Sequence, residues 1–208
     1  MDRDIVVGTR KLRGCTLVTL QSGDTLRVPG PLARQFPLQT GDEIDAQAYM
    51  DRIRQHEYAP AAERAARLLS QRDYSTHMLE DKLRESGYAP ETVERVLTFL
   101  QEKRYLDDHR FAEDLMRRRL KTRGRRAVQL ELHRKGIAAD ISEPMLSERS
   151  DEEELAAAAA LLKKYLRGKV LEPQQAYQRS LAYLARRGYG YEIAKRAYAL
   201  RLEEGLSP

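Results

Sequence analysis

The residues of this chain best equipped for chemistry are its cations. Between residues 104 and 137 stand eleven Lys or Arg (Arg104, Arg110, Arg117, Arg118, Arg119, Lys121, Arg123, Arg125, Arg126, Arg134 and Lys135) against five acids (Asp107, Asp108, Glu113, Asp114 and Glu131). That local excess of six exceeds the net charge of the whole 208-residue chain, +5, so the remainder is close to neutral. Guanidinium and ammonium groups at this density bind phosphates or an acidic protein surface through charge-assisted hydrogen bonds. The competing reading is a solvated helix face, and the size of the excess favours binding. Secondary basic points recur elsewhere: Lys82 and Arg84, then Lys163, Lys164, Arg186 and Arg187.

Catalytic chemistry finds little support. His56, His77, His109 and His133 are scattered without metal-ligand spacing, and Cys15 is the only cysteine. A zinc site is not expected, an internal disulfide is excluded, and a reducing compartment fits. Neither GxxxxGK[ST] nor GxGxxG occurs, and Gly188-Tyr189-Gly190 is a bare GxG behind a helix rather than a strand. Asp107 and Asp108 are paired carboxylates capable of acid–base work, but their place at a helix start suits capping better. Ser75 and Ser150 have no His or Asp arrangement to activate them. The expectation is a protein that is not an enzyme and needs neither cofactor nor metal.

The elements that must carry the cations follow from pattern. Residues 104–137 predict a helical hairpin. Asp107 and Asp108 precede Phe111, Leu115 and Leu120 where an N-cap belongs, and Arg117, Arg118, Arg119 and Lys121 fall at the helix C-terminal end. Gly124 loosens the connection, Val128 and Leu132 share a face, and Gly136 after Lys135 is a C-terminal signal. This hairpin belongs to a repeat. Gly87, Gly136 and Gly188 lie 49 and 52 residues apart, with Leu83, Leu132 and Leu184 four residues before them and Glu91, Asp140 and Glu192 four after. Such a period with helical patterning marks a tandem array of three-helix units.

In the first unit, helices are expected near 61–71, 75–86 and 90–103, with Ser75 as N-cap and Pro60 and Pro90 in first turns. The second unit ends in a short acidic helix limited by Pro144. The third opens with Ser150 and Glu153 as a capping box before the alanine run 156–160, and Gly168 and Pro173 separate its first two helices. Units this small cannot bury a large core alone, so they should stack into an elongated, curved body. Tyr88, Tyr105, Tyr189 and Tyr191 fall at helix junctions, where structural tyrosines are favoured over base-stacking ones.

Residues 1–50 differ: β-type runs at 5–7, 15–20 and 25–28, a turn at Gln21-Ser22-Gly23-Asp24, and Arg10, Lys11 and Arg13 in the loop between the first two. Leu38 to Asp42 reads as a further turn, before Glu43 and Ile44. Three short strands are barely self-sufficient, so this module should lean on its neighbour. The expected organisation is mainly α: a β-rich module at 1–50 with a linker to about 59, then units at 60–106, 107–149 and 150–208. No apolar run approaches a membrane span, and the start lacks the apolar core of a signal peptide, so a cytoplasmic protein is expected.

Several of these residues form motifs. Tyr105-Leu106-Asp107-Asp108 followed by Arg110-Phe111 resembles the YLDDxRF signature of the RecX family, and Leu132 to Ile137 resembles its ELxxKGI element, including Gly136. Residues 181–193 resemble the family's LxxRGYxxxxI pattern. The likeness covers about residues 60–204, and the N-terminal module is similar to an extension that many members carry. The resemblance implies a regulator of the RecA recombinase, not itself an enzyme, that binds RecA and its DNA filament. Such a regulator restrains filament assembly, ATP hydrolysis and strand exchange in recombination, DNA repair and the SOS response. Filament contacts would then fall on Arg117, Arg118, Arg119, Lys121, Arg123, Arg125, Arg126, Arg134, Lys135, Lys163, Lys164, Arg186 and Arg187. The partners implied are RecA, the filament and single- or double-stranded DNA, met by a monomer without a membrane. The alanine-rich first helix of the third unit departs from the family pattern, which makes its contacts the least transferable.

Overall fold

The computed structural model describes residues 3–206, so Met1, Asp2, Ser207 and Pro208, at the ends of the expected first and last modules, lie outside it. The chain divides into two compact units, Met1–Asp107 and Asp108–Pro208.

The first unit begins with an antiparallel sheet in the order β3-β2-β1-β4, formed by β1 (Asp4–Lys11), β2 (Cys15–Leu20), β3 (Thr25–Pro29) and β4 (Glu43–Ile44). The turn after β2 is the expected one: the Gly23 N–H donates to the Leu20 carbonyl at 3.0 Å, and the Leu20 N–H to the Asp24 carbonyl at 2.9 Å. Two details differ from expectation. Arg10 and Lys11 are not loop residues; they pair with Leu17 and Thr16, because the β2 ladder extends β1 past its apolar stretch. Glu43 and Ile44, after the second turn, form a fourth strand against Ile5 and Asp4, one too short to show a period of its own.

Helix α1 (Gly30–Gln35) and helix α2 (Ala46–Gln55) close this module. Val6, Val18, Leu20, Val28, Leu32 and Ile53 form its core. Ile53 is fully buried, so the stretch expected to be a connection contributes to the core.

Helices α3 (Tyr58–Leu69), α4 (Thr76–Glu85) and α5 (Pro90–Glu102) form the first helical triplet. Ser75 caps α4 by accepting from the Met78 N–H at 3.2 Å. Ala61, Ala65, Leu68, Leu79, Leu83, Val93, Val96 and Leu100 interdigitate as its core. The sheet module leans on the end of α4. The Arg27 Nη2 donates to the Glu85 carbonyl at 2.9 Å, and a side chain on Gly87 would sit 3.2 Å from the Cys15 Cβ. Arg104, after α5, has φ 56°, a left-handed conformation that a non-glycine residue adopts at a cost.

The second unit carries α6 (Asp108–Arg119), α7 (Arg125–Arg134), α8 (Ala139–Ser147), α9 (Asp151–Leu166), α10 (Pro173–Ala185) and α11 (Tyr191–Leu206). Pro144 does not limit α8 but lies inside it. The helix continues across the proline because Leu146 and Ser142 are buried and the Glu148 N–H still reaches the Pro144 carbonyl at 3.1 Å. Ser150 caps α9 through the Glu153 N–H at 3.1 Å.

The repeat has one local cause. After each of Gly87, Gly136 and Gly188, whose φ values are 87°, 74° and 83°, the next residue turns its N–H back to the leucine four positions before the glycine. Those bonds are Tyr88 to Leu83 at 3.4 Å, Ile137 to Leu132 at 3.1 Å and Tyr189 to Leu184 at 3.2 Å. This is the Schellman stop, which a left-handed glycine permits and which tucks the following side chain against the helix. Tyr88, Ile137 and Tyr189 are accordingly all buried.

Candidate functional site

All thirteen cations of the expected binding set lie in the unit 108–208, so its local geometry decides which of them face solvent. The loop 120–124 joins α6 to α7 and is held from two sides. On one side Glu131 accepts from Arg119, Nη2 to Oε1 at 2.9 Å, and from Arg123 at 3.4 Å. On the other, the Gly124 N–H donates to the Arg187 carbonyl at 2.9 Å. There the backbones touch: a Cβ on Gly124 would sit 2.4 Å from the Gly188 oxygen, and one on Gly188 would sit 2.4 Å from the Ala127 Cβ. The start of α7 thus abuts the end of α10.

Arg125 turns inward. Its backbone N–H donates to Glu154 Oε1 at 2.9 Å, its Nε to Glu154 Oε2 at 2.5 Å, and its guanidinium also meets Asp151 and the Arg149 carbonyl. Its hydrogen bond to Glu154 is the largest influence and raises its pKa; with the bond to Asp151 it outweighs the desolvation that lowers it. Glu154 is buried, so the pair satisfies both a carboxylate in the core and the first turn of α7. Arg149 adds a bond to the Leu120 carbonyl at 3.0 Å. Charge pattern in the sequence does not single out Glu131, Arg149 or Glu154, because their partners lie 8 to 29 residues away.

The remaining cations divide. Arg117 pairs with Asp114 one turn earlier, and with Lys121 it lines a shallow groove of about 710 Å³ beside Met145 and Glu148. Arg126 and Arg186 line a second groove, about 640 Å³, formed by α7, α10 and α11. Its other walls include Leu130, Leu181, Ala185 and Tyr191; Leu130 is 49% and Tyr191 59% exposed. Arg118, Arg134 and Lys164 are exposed; Lys135 is half-buried and Lys163 exposed, each already engaged in an interaction. Arg187 lies half-buried with its guanidinium 3.9 Å from the Tyr183 ring centre, and Tyr183 stacks on Tyr165.

Two pairs of these cations thus line two different grooves. The Gly124–Gly188 contact brings Arg126 and Arg186 to one groove, Arg125 and Arg187 serve internal contacts, and Arg119 and Arg123 remain exposed while paired with Glu131. Of the junction tyrosines, Tyr88 and Tyr189 are buried, and desolvation pushes both phenols up to about 12, whereas Tyr105 and Tyr191 are exposed. Of the YLDD motif, Leu106 and the nearby Phe111 are buried and Asp107 immediately precedes α6. No group of three or more His, Cys, Asp or Glu among the described residues is placed to hold a metal ion. None of their helices is long and apolar enough to cross a membrane.

Three consecutive family models match: the first, second and third three-helix domains of RecX, over residues 61–100, 107–146 and 151–198. The chain belongs to the RecX family. The regulatory protein RecX of Clostridium perfringens (strain 13 / Type A) is 30% identical over 158 residues, 74% of each chain. That of Vibrio parahaemolyticus is 34% identical over 144 residues, 68% of this chain and 90% of the relative. Among solved structures, RecX from Lactobacillus salivarius superposes with a TM-score of 0.64 at 21% identity, over 70% of this chain and 97% of its own. A second crystal structure, of a regulatory protein RecX, matches with a TM-score of 0.60 at 21% identity, over 94% of this chain and 99% of its own. These two likenesses concern the fold, and the second spans the N-terminal sheet as well as the helical triplets.

Proposed function

We propose that this chain is a RecX-type regulator, a monomeric cytoplasmic protein that binds the RecA recombinase and its DNA filament and restrains filament assembly, ATP hydrolysis and strand exchange. The observation that carries this reading is the match of three RecX domains in order along one chain. Its relatives carry the name of regulatory protein RecX, which supports a regulatory role. The site geometry supports a partner that combines negative charge with apolar surface. Arg126 and Arg186 flank Leu130 and Tyr191, and cations beside exposed apolar side chains suit an acidic protein surface.

The alternative is a DNA-binding protein that acts without touching RecA, and the exposed Arg118, Arg134 and Lys164 favour it. One experiment separates the two. RecA-dependent ATP hydrolysis on single-stranded DNA is measured with increasing amounts of this protein, alongside its binding to RecA alone, DNA alone and the filament. Dose-dependent inhibition with binding to RecA or the filament supports the regulator. No effect on hydrolysis at any ratio refutes it, and tight, salt-sensitive DNA binding without RecA association establishes the alternative. Alanine at Arg126 and Arg186 together should lower filament affinity by about tenfold, equivalent to about 1.4 kcal/mol, with helix content unchanged.

A further inference from the structure

The unit 1–107 contains a cleft of about 570 Å³ bounded by β1, β2, α1 and α3. Its charged lining is Lys11, Arg34, Arg64 and Arg67 against one acid, Glu63. That acid is taken: Arg67 Nη2 meets Glu63 Oε1 at 2.6 Å. Lys11 and Arg34 are exposed and have no carboxylate partner among the described residues. Arg64 is half-buried, and its enclosed Nε has no acceptor. Tyr88 also lines the cleft; burial keeps its phenol neutral by pushing it up to about 12, so it adds no negative charge.

An enclosed guanidinium donor without an acceptor is unfavourable, and most folds avoid one. Here it stands at the wall of a cleft where Lys11 and Arg34 also lack carboxylates. The planar guanidinium fork of Arg64 matches the oxygens of a phosphate. Arg67, although paired with Glu63, keeps a further positive charge at the lining. Several cations spread through one open cleft suit a ligand whose anionic groups repeat at intervals.

We propose that this cleft seats phosphates of a single-stranded nucleic acid, making the N-terminal module a nucleic-acid contact separate from the helical grooves of the unit 108–208. The contact does not depend on the regulator reading, because its test contains no recombinase.

The full chain is titrated against a fluorescein-labelled oligo-dT strand, following anisotropy across a range of salt. In Lys11→Ala/Arg34→Ala both changed side chains are exposed, so the melting temperature should hold. Affinity at low salt should fall on the order of tenfold, and the salt slope should drop by about 0.7 for each phosphate no longer neutralised. Arg64→Lys keeps the charge but removes the fork, and should weaken binding less. Unchanged affinity and slope in both variants overturn the proposal. Polyglutamate displacing the strand equally well, charge for charge, overturns the phosphate assignment in favour of an acidic protein. ATP displacing it equally well, phosphate for phosphate, with no dependence on strand length, overturns the strand in favour of a free nucleotide. Should the double variant melt early, photocrosslinking of the parent chain to a bromodeoxyuridine strand decides. Adducts within 9–16 or 60–67 support the cleft, and adducts confined to residues beyond 107 overturn it.

Discussion

Replacing Gly124 with alanine tests the contact that organises the basic groove. Gly124 has φ −73° and ψ 162°, an ordinary conformation for any residue. Backbone preference alone therefore predicts that alanine stabilises the chain, by about 0.4–1 kcal/mol through the unfolded state. The contact predicts the reverse. The new Cβ would lie 2.4 Å from the Gly188 oxygen, whereas carbon and oxygen ordinarily sit about 3.3 Å or more apart. One backbone must yield by roughly 1 Å, and overpacking of this kind costs about 1–3 kcal/mol. Contact outweighs preference, for a net loss of about 1–2 kcal/mol, or about 2–8 °C in melting temperature for a chain of this size.

Two controls calibrate that result. Gly168→Ala has φ 73° but nothing within 4 Å of the added carbon, so it carries only the conformational cost of about 1 kcal/mol. Gly188→Ala combines φ 83° with a carbon 2.4 Å from the Ala127 Cβ, and should be the worst of the three. Thermal melts followed by circular dichroism rank the variants. Amide hydrogen exchange places the loss, which should fall on the first turn of α7 and the end of α10. A Gly124→Ala chain that melts at or above the parent, with exchange in α7 unchanged, would refute the contact and with it the shared placement of Arg126 and Arg186.

Other outcomes follow from the same packing. Arg125→Ala leaves Glu154 buried without its partner and should cost about 3 kcal/mol, and adding Glu154→Gln should recover part of that; a double-mutant cycle on chemical denaturation measures the coupling. Tyr88 and Tyr189 bind their protons more tightly in the folded chain than at the ordinary value of 10.0, so stability is fully present below pH 10 and falls as pH rises from 10 towards about 12. Phenylalanine at either position should flatten that alkaline decline in melts taken across the range, and an unchanged decline in both variants would contradict it. Arg104→Gly removes the left-handed strain after α5 and should raise stability by about 1 kcal/mol, read as a higher denaturation midpoint.

Much of the architecture is written locally. The three glycines stop their helices because only a residue without a Cβ enters the left-handed region cheaply, and each stop also buries the next side chain. That single device makes the repeat readable, and with it the caps at Ser75 and Ser150. The cations of the second helical unit are equally legible by type, and the motif resemblance leads to the family that three domain models match. Short or covered elements are not legible. Two-residue β4 offers no period, α2 shows its buried face only against the sheet, and Pro144 is tolerated because α8 is held by its neighbours.

What the chain by itself determined was where helices begin and end and which residues carry charge, since both depend on side chains within a turn or two of one another. Only the tertiary structure decided which charges remain for a partner. Arg125 and Glu154, 29 residues apart, and Gly124 and Gly188 at greater separation meet through folding alone, and no local pattern records such pairs. A guanidinium presents the same chemistry in the sequence whether it faces water, a buried carboxylate or an aromatic ring, and it is the packed neighbour that makes the difference.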